Sequence, residues 1–197
     1  MNPDQGVRPP WLDAPVPPEY PYEETYDLRR GPDLHPALHG LVPFIGVWRG
    51  RGGGDYPTIE AFEYAQEITI SHDGRPFLHY SSRAWLVKPD GTAIRPAARE
   101  TGWWRPVMDS DGQPTDEVEA LLCSPTGIMA LHVGRLTAVR IEFATDAVMR
   151  SSTAKEVTAE QRLYGIVDGA LLYAQDMAAV GQPLTPHLAA RLTRVGG

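Results

Sequence analysis

Phe62-Glu63-Tyr64-Ala65-Gln66-Glu67-Ile68-Thr69-Ile70, followed at once by Ser71-His72-Asp73-Gly74, is the stretch on which the reading of the fold turns. Phe62, Tyr64, Ile68 and Ile70 share one parity, whereas Glu63 and Glu67 fall on the other. That period of two belongs to a strand with one face buried and one in water. Asp73-Gly74 then reads as a hairpin turn, because aspartate and glycine both accept positive φ. The same pair recurs as Asp90-Gly91, Asp111-Gly112 and Asp168-Gly169.

Outward from this hairpin, further short strand candidates cover 77–87, 117–123, 128–133, 138–143, 162–167 and 170–175, and a last one covers 188–195. Roughly ten strands in about 150 residues, with no long helical segment, point to an all-β sandwich or barrel. Consecutive hairpins favour an antiparallel up-and-down meander, and closing it removes the exposed edges of an open sheet. The expected fold is therefore a ten-stranded antiparallel barrel enclosing a ligand cavity. Near its start, Gly46-Val47-Trp48-Arg49-Gly50-Arg51-Gly52 puts Trp48, Gly50 and Gly52 on one face. A tryptophan followed by two glycines lets a first strand bend sharply and pack across a barrel end.

The first 36 residues differ. Nine prolines between Pro3 and Pro36 block helix interiors and sheet ladders and favour extended chain. The expected organisation is a proline-rich extension over 1–36, flexible or strapped across the barrel through Trp11, Tyr20, Tyr22 and Tyr26, and a barrel domain over 37–197. A short helix over 34–38 is predicted between them, with Asp33 as N-cap and Gly40 ending it.

With 197 residues the chain has the size of one ordinary domain and buries a core without covalent staples. A net charge of -7 argues against a nucleic-acid partner or an anionic membrane surface. Cys123, the single cysteine, has no intramolecular disulfide partner. No secretory signal stands at the start, and no apolar run nears the roughly 18 residues needed to cross a bilayer. A cytoplasmic location is expected.

Several chemistries lack their residues. Gly50, Gly52, Gly53 and Gly54 crowd one segment without a phosphate-loop lysine. No histidine pair has zinc-ligand context, one cysteine cannot form a thiolate cluster, and Gly-x-Ser-x-Gly is missing. Of six histidines, His35, His39, His72, His79 and His132 sit in ordinary helix, turn or strand contexts. His187 differs: it follows the stiff connector Gly181-Gln182-Pro183-Leu184-Thr185-Pro186 and opens the last strand. Such a connector can hold an imidazole in one orientation, as a metal ligand requires. Met177 to Val180, small or soft, suit a core or an apolar cofactor pocket. Lys155 reads as a surface lysine that can pair with an acidic ligand group if it leans over the pocket mouth. Thr58 reads as an ordinary strand or turn residue.

Taken together, Gly46 to Gly52, Tyr56-Pro57-Thr58-Ile59, Ala154-Lys155-Glu156-Val157 and Met177 to His187-Leu188 resemble the nitrobindin family, over about Leu41 to Arg194. The resemblance implies a ten-stranded calycin-like barrel, shaped like fatty-acid-binding proteins, that binds one haem b. His187 would be its proximal axial ligand, Lys155 a haem contact through a propionate, and Thr58 a residue near the distal side. The implied activity is isomerisation of peroxynitrite to nitrate at ferric haem, with nitric oxide binding as a related property. In many relatives a histidine stands where this chain has Ala98. The residues leave two other readings open: a carrier of a fatty acid or other apolar ligand, with Arg140 and Arg162 as carboxylate partners, and an interaction module using the aromatic tail. A homodimer packed through a barrel face is a further expectation.

Overall fold

The computed structural model describes residue 9 and residues 11–197. Ten strands follow one another: β1 (Gly46–Tyr56), β2 (Ile59–Ser71), β3 (Leu78–Val87), β4 (Ala93–Met108), β5 (Pro114–Ser124), β6 (Ile128–Thr137), β7 (Arg140–Arg150), β8 (Val157–Val167), β9 (Ala170–Ala179) and β10 (Thr185–Gly196). Every pairing is antiparallel between chain neighbours, and β10 pairs with β1 to close the barrel. The sheet thus has no free edge. Among the described residues no helix is long and apolar enough to cross a membrane.

The alternation that opened the reading survives in β2. Tyr64, Ile68 and Ile70 are buried, and Gln66 between them is buried as well. On the outer face Glu67 is also covered, because Arg49 of β1 and Arg83 of β3 stand opposite it and both bond its carboxylate. All four Asp-Gly pairs fall between consecutive strands with the glycine at positive φ. Asp168 (φ 50) and Gly169 (φ 73) form the two-residue turn whose twist matches that of the flanking strands.

Two expectations need correction. β4 was missing from the strand candidates: Pro96 and Pro106 lie inside it, and its residues 93–99 are all exposed, so it shows neither clean alternation nor strand composition. The helix begins later and runs longer than 34–38. It is a 3-10 helix, Pro36–Phe44, capped by His35, whose Nδ1 accepts from the Ala37 amide at 3.2 Å, and it continues through Gly40. Leu38, Leu41 and Phe44, three apart, bury one face, which is the period of a 3-10 rather than an α-helix.

That helix plugs one barrel end. Leu38, Leu41 and Phe44 pack with Trp48, Ile68, Ile70, Leu78, Tyr80 and Trp104 in a single core. Trp48 is fully buried and its indole N–H donates to the Phe44 carbonyl at 2.8 Å. The Arg194 guanidinium lies 4.2 Å over the Trp48 ring and donates to the Pro43 and Ile45 carbonyls, sealing the helix to β10. Behind Trp48 the backbones of β1 and β10 come too close for a side chain: a Cβ on Gly50 would stand 2.1 Å from the Arg191 carbonyl oxygen, and one on Gly52 2.3 Å from that of Ala189. Ahead of the helix, Thr25 forms an antiparallel bridge with His72, and Glu24 bonds Ser71 and His79. The part of the expected proline-rich extension over residues 1–8 and 10 lies outside the described residues.

Candidate functional site

The core fills the helix end of the barrel, and the opposite end holds a cavity of about 270 Å³. Its wall is largely apolar, with Phe62, Leu122, Ile128, Ala130, Val157, Met177 and Leu188 among its residues, and it becomes solvent-exposed toward Ala97, Ala98 and Thr126. A larger groove of about 550 Å³ runs over the outside of the barrel and contains no histidine. Its rim charges Arg140 and Glu142 are paired with each other. The chemistry converges in the smaller, internal cavity.

His187 reaches that cavity from an irregular piece of backbone. In the β9–β10 ladder Pro186 faces Asp176 and Leu188 faces Gln175, so His187 is the extra residue of a β-bulge. The β1–β10 ladder ends at Gly54–Leu188, one position short of it. A bulge of this kind re-aims a side chain. The half-buried ring rests edge-on against Tyr56 (5.4 Å between centroids) and Phe62 (6.3 Å). Its Nδ1 is 2.8 Å from the Asp55 carbonyl oxygen. A carbonyl only accepts, so Nδ1 carries the proton and Nε2 keeps its lone pair.

The other residues singled out in the sequence stand apart from His187. Thr58 is exposed in the turn between β1 and β2, and Lys155 is exposed on the 151–156 connection between β7 and β8. Neither lines the cavity, although Val157, two residues after Lys155, does. Gly46, Trp48, Gly50 and Gly52 belong to the barrel closure and not to the cavity wall. Ala98 stands in the wall.

Sequence reasoning missed the charged floor. Arg162 is 3% exposed and reaches Glu100 through two parallel bonds of 2.8 and 2.7 Å. It also bonds Glu160 at 3.0 and 2.7 Å. His132, fully buried, has its Nε2 3.3 Å from the same Glu160 carboxylate. Burial alone would raise the pKa of Glu160, but the Arg162 charge and the bonds from His132 and Arg162 win and bring it down to about 2. Burial would likewise favour a neutral Arg162, and the charges of Glu100 and Glu160 reverse that and hold it protonated. No local signal joins these four residues, because they come from β4, β6 and β8 and meet only when the barrel closes. The arrangement answers the carboxylate-carrier reading. Arg162 already has two carboxylates, and Arg140 points outward with its head 58% exposed.

Two further wall atoms, the Tyr64 hydroxyl and Gln66 Oε1, are buried without a protein partner. Burial pushes the Tyr64 phenol well up, so it stays a neutral donor. Among the described residues no group of three or more His, Cys, Asp or Glu is arranged to hold a bare metal ion. One imidazole with a free Nε2 in an apolar cavity is the donor set for a metal that brings its own equatorial ligands, as the iron of a porphyrin does. The residues present fit haem.

Comparison with known proteins bears on the same point. The family model for the THAP4-like, heme-binding beta-barrel domain matches residues 37–194. The protein named peroxynitrite isomerase in Salinispora tropica is 66% identical over 197 residues, covering all of both chains, and that of Streptomyces griseus is 48% identical over 89% of this chain and 93% of its own. A ferric nitrobindin-like protein of Saccharopolyspora erythraea is 42% identical over 88% of this chain and 81% of its own. The crystal structure of Rv2717c from M. tuberculosis superposes with a TM-score of 0.71 at 43% identity, covering 82% of this chain and 99% of that one.

Proposed function

The chain belongs to the THAP4-like haem-binding β-barrel family, and we propose that it holds haem b through His187 and isomerises peroxynitrite to nitrate, with nitric oxide as a further ligand. The observation that carries this reading is the geometry of His187: a bulged backbone, a proton fixed on Nδ1 by the Asp55 carbonyl, and an Nε2 left free at an apolar cavity. When bound, ferric haem supplies the redox-active centre for rearranging the peroxynitrite anion.

The protein's own contribution is binding, orientation and shielding. The Asp55 carbonyl holds the proton on His187 Nδ1 and fixes the plane of the ring. Phe62, Val157, Met177 and Leu188 offer apolar surface to a macrocycle. Lys155 supplies an ammonium at the rim for a propionate, and Thr58 a hydroxyl on the β1–β2 turn. Peroxynitrite and nitrate anions have the same atoms and the same charge, so this rearrangement needs no acid–base pair, and the charged floor is already internally paired. The Glu100–Arg162–Glu160 group carries one excess negative charge when His132 is neutral, which discourages a long-chain carboxylate from settling there.

This reading includes a cytoplasmic location, consistent with the single cysteine, and a homodimer. The dimer face is the outside of β4–β7. There Trp103 pairs with Leu121, Leu121 with Leu131, and Met129 with Met149, giving an exposed apolar patch across four strands. Leu121→Glu should convert a dimer to a monomer in sedimentation. Equal mass for both proteins would remove this face from consideration.

The test of the haem reading is an optical titration with hemin. The unmutated protein should develop a saturable, shifted Soret band, and His187→Gly should lose it and regain it with added imidazole. An unchanged band in His187→Gly would eliminate His187 as the ligand.

A further inference from the structure

We propose that Tyr56 is the positioning residue for His187, a brace that replaces the backbone pairing the bulge gives up. The inference rests on the reading of His187 as the haem ligand and deepens it.

The order of strands around the barrel makes the case. β10 lies between β1 and β9, so these two are not neighbours. Tyr56, the last residue of β1, nevertheless reaches β9. Its hydroxyl accepts from the Ala179 amide at 3.0 Å and lies 3.0 Å from the Met177 carbonyl and 3.3 Å from that of Ala179, either of which can take its single proton. The phenol therefore spans the start of β10, where His187 sits without a partner on the β1 side and unmatched on the β9 side. A residue at a bulge has lost the ladder bonds that hold its neighbours. What remains for His187 is the Nδ1–Asp55 bond and two ring contacts, and Tyr56 controls both kinds. It is bonded to Asp55 in the chain, so pinning Tyr56 pins the carbonyl that orients the imidazole. It also presents its ring edge-on to His187 at 5.4 Å.

The packing agrees. Tyr56, Val157 and Ala179 form a small core of their own, with Ile128 and Met177 against it, separate from the main core at the helix end. Tyr56 is 5% exposed although it stands beside the exposed turn residues Pro57 and Thr58. A second core at the open end of a barrel gives the ligand-bearing bulge a rigid base.

Tyr56→Phe tests this, since it keeps the ring and removes only the hydroxyl. Hemin transfer from the loaded variant to a scavenging globin should be faster by about 10–100-fold, the usual cost of losing an outer-shell partner of a metal ligand. The iron–histidine stretching band in the resonance Raman spectrum of the reduced protein should shift and broaden. A variant that melts lower yet keeps the hemin transfer rate and the Raman band of the parent would overturn the proposal, leaving Tyr56 a packing residue. Should the parent itself bind no hemin, the haem reading fails instead, and the two failures are distinguishable. A second measurement needs no mutation: hemin loading should slow hydrogen exchange at the Ala179 amide, because coupling between brace and ligand works in both directions. Unchanged exchange at Ala179 would equally contradict the brace.

Discussion

Gly50→Ala adds one methyl group to the barrel's closing seam, and Gly53→Ala adds the same group three residues along the same strand. At position 50 the new Cβ would meet the Arg191 carbonyl oxygen at 2.1 Å and the Leu192 Cα at 2.8 Å, both backbone atoms that no rotamer change can move. At position 53 the nearest atom is the Phe62 carbonyl oxygen at 3.9 Å, an ordinary contact. Neither glycine has positive φ, so backbone strain does not enter. Overpacking costs about 1–3 kcal/mol where side chains can give, and a clash with fixed backbone belongs at roughly 3 kcal/mol or above. For a domain of this size about 3 kcal/mol lowers the melting temperature by roughly 6–12 °C. Gly53→Ala should stay within about 0.5 kcal/mol of the parent or gain slightly from reduced freedom of the unfolded chain. Thermal unfolding followed by circular dichroism reads both. Equal melting temperatures for the two variants would refute the claim that Gly50 is required by the approach of β1 to β10.

Acid should test the buried floor. Glu160 has a folded-state pKa near 2, below its ordinary value of 4.5, so its contribution to stability is full above about pH 4.5 and is lost as pH falls toward 2. Melting temperature should drop across that window, and Glu160→Gln should flatten its share of the drop; an unchanged slope would show that Glu160 is not the titrating group. Trp48→Phe keeps a ring under Arg194 and removes the indole donor to the Phe44 carbonyl, at a cost of about 1–3 kcal/mol in denaturant unfolding. A loss well under that range would mean that the bond does not help hold the helix plug.

Most of the barrel could be read from local signals, since turns and alternation are properties of neighbouring residues. The four Asp-Gly pairs located their hairpins, and β2 kept its inward parity. β4 escaped because it carries two prolines, each beside a register shift in a neighbouring ladder, and the helix shifted because its burial period is three. His187 stood out for a similarly local reason, the stiff connector ahead of it, although β10 begins at Thr185 and takes His187 inside the strand. The bulge that aims it was not, because a register shift is a relation between two strands. Glu100, His132, Glu160 and Arg162 were illegible as a group: each is unremarkable in its own strand, and closure alone brings them together.

The central claim is that haem held by His187 turns peroxynitrite into nitrate. The most direct test mixes peroxynitrite with hemin-loaded protein in a stopped-flow instrument and measures both the decay rate and the nitrate-to-nitrite ratio. The account predicts faster decay in proportion to loaded protein, with nitrate rising at the expense of nitrite, and no such effect from the hemin-free protein or from His187→Ala. Decay and product ratio that stay at the values of buffer, despite a fully formed Soret band, would contradict it.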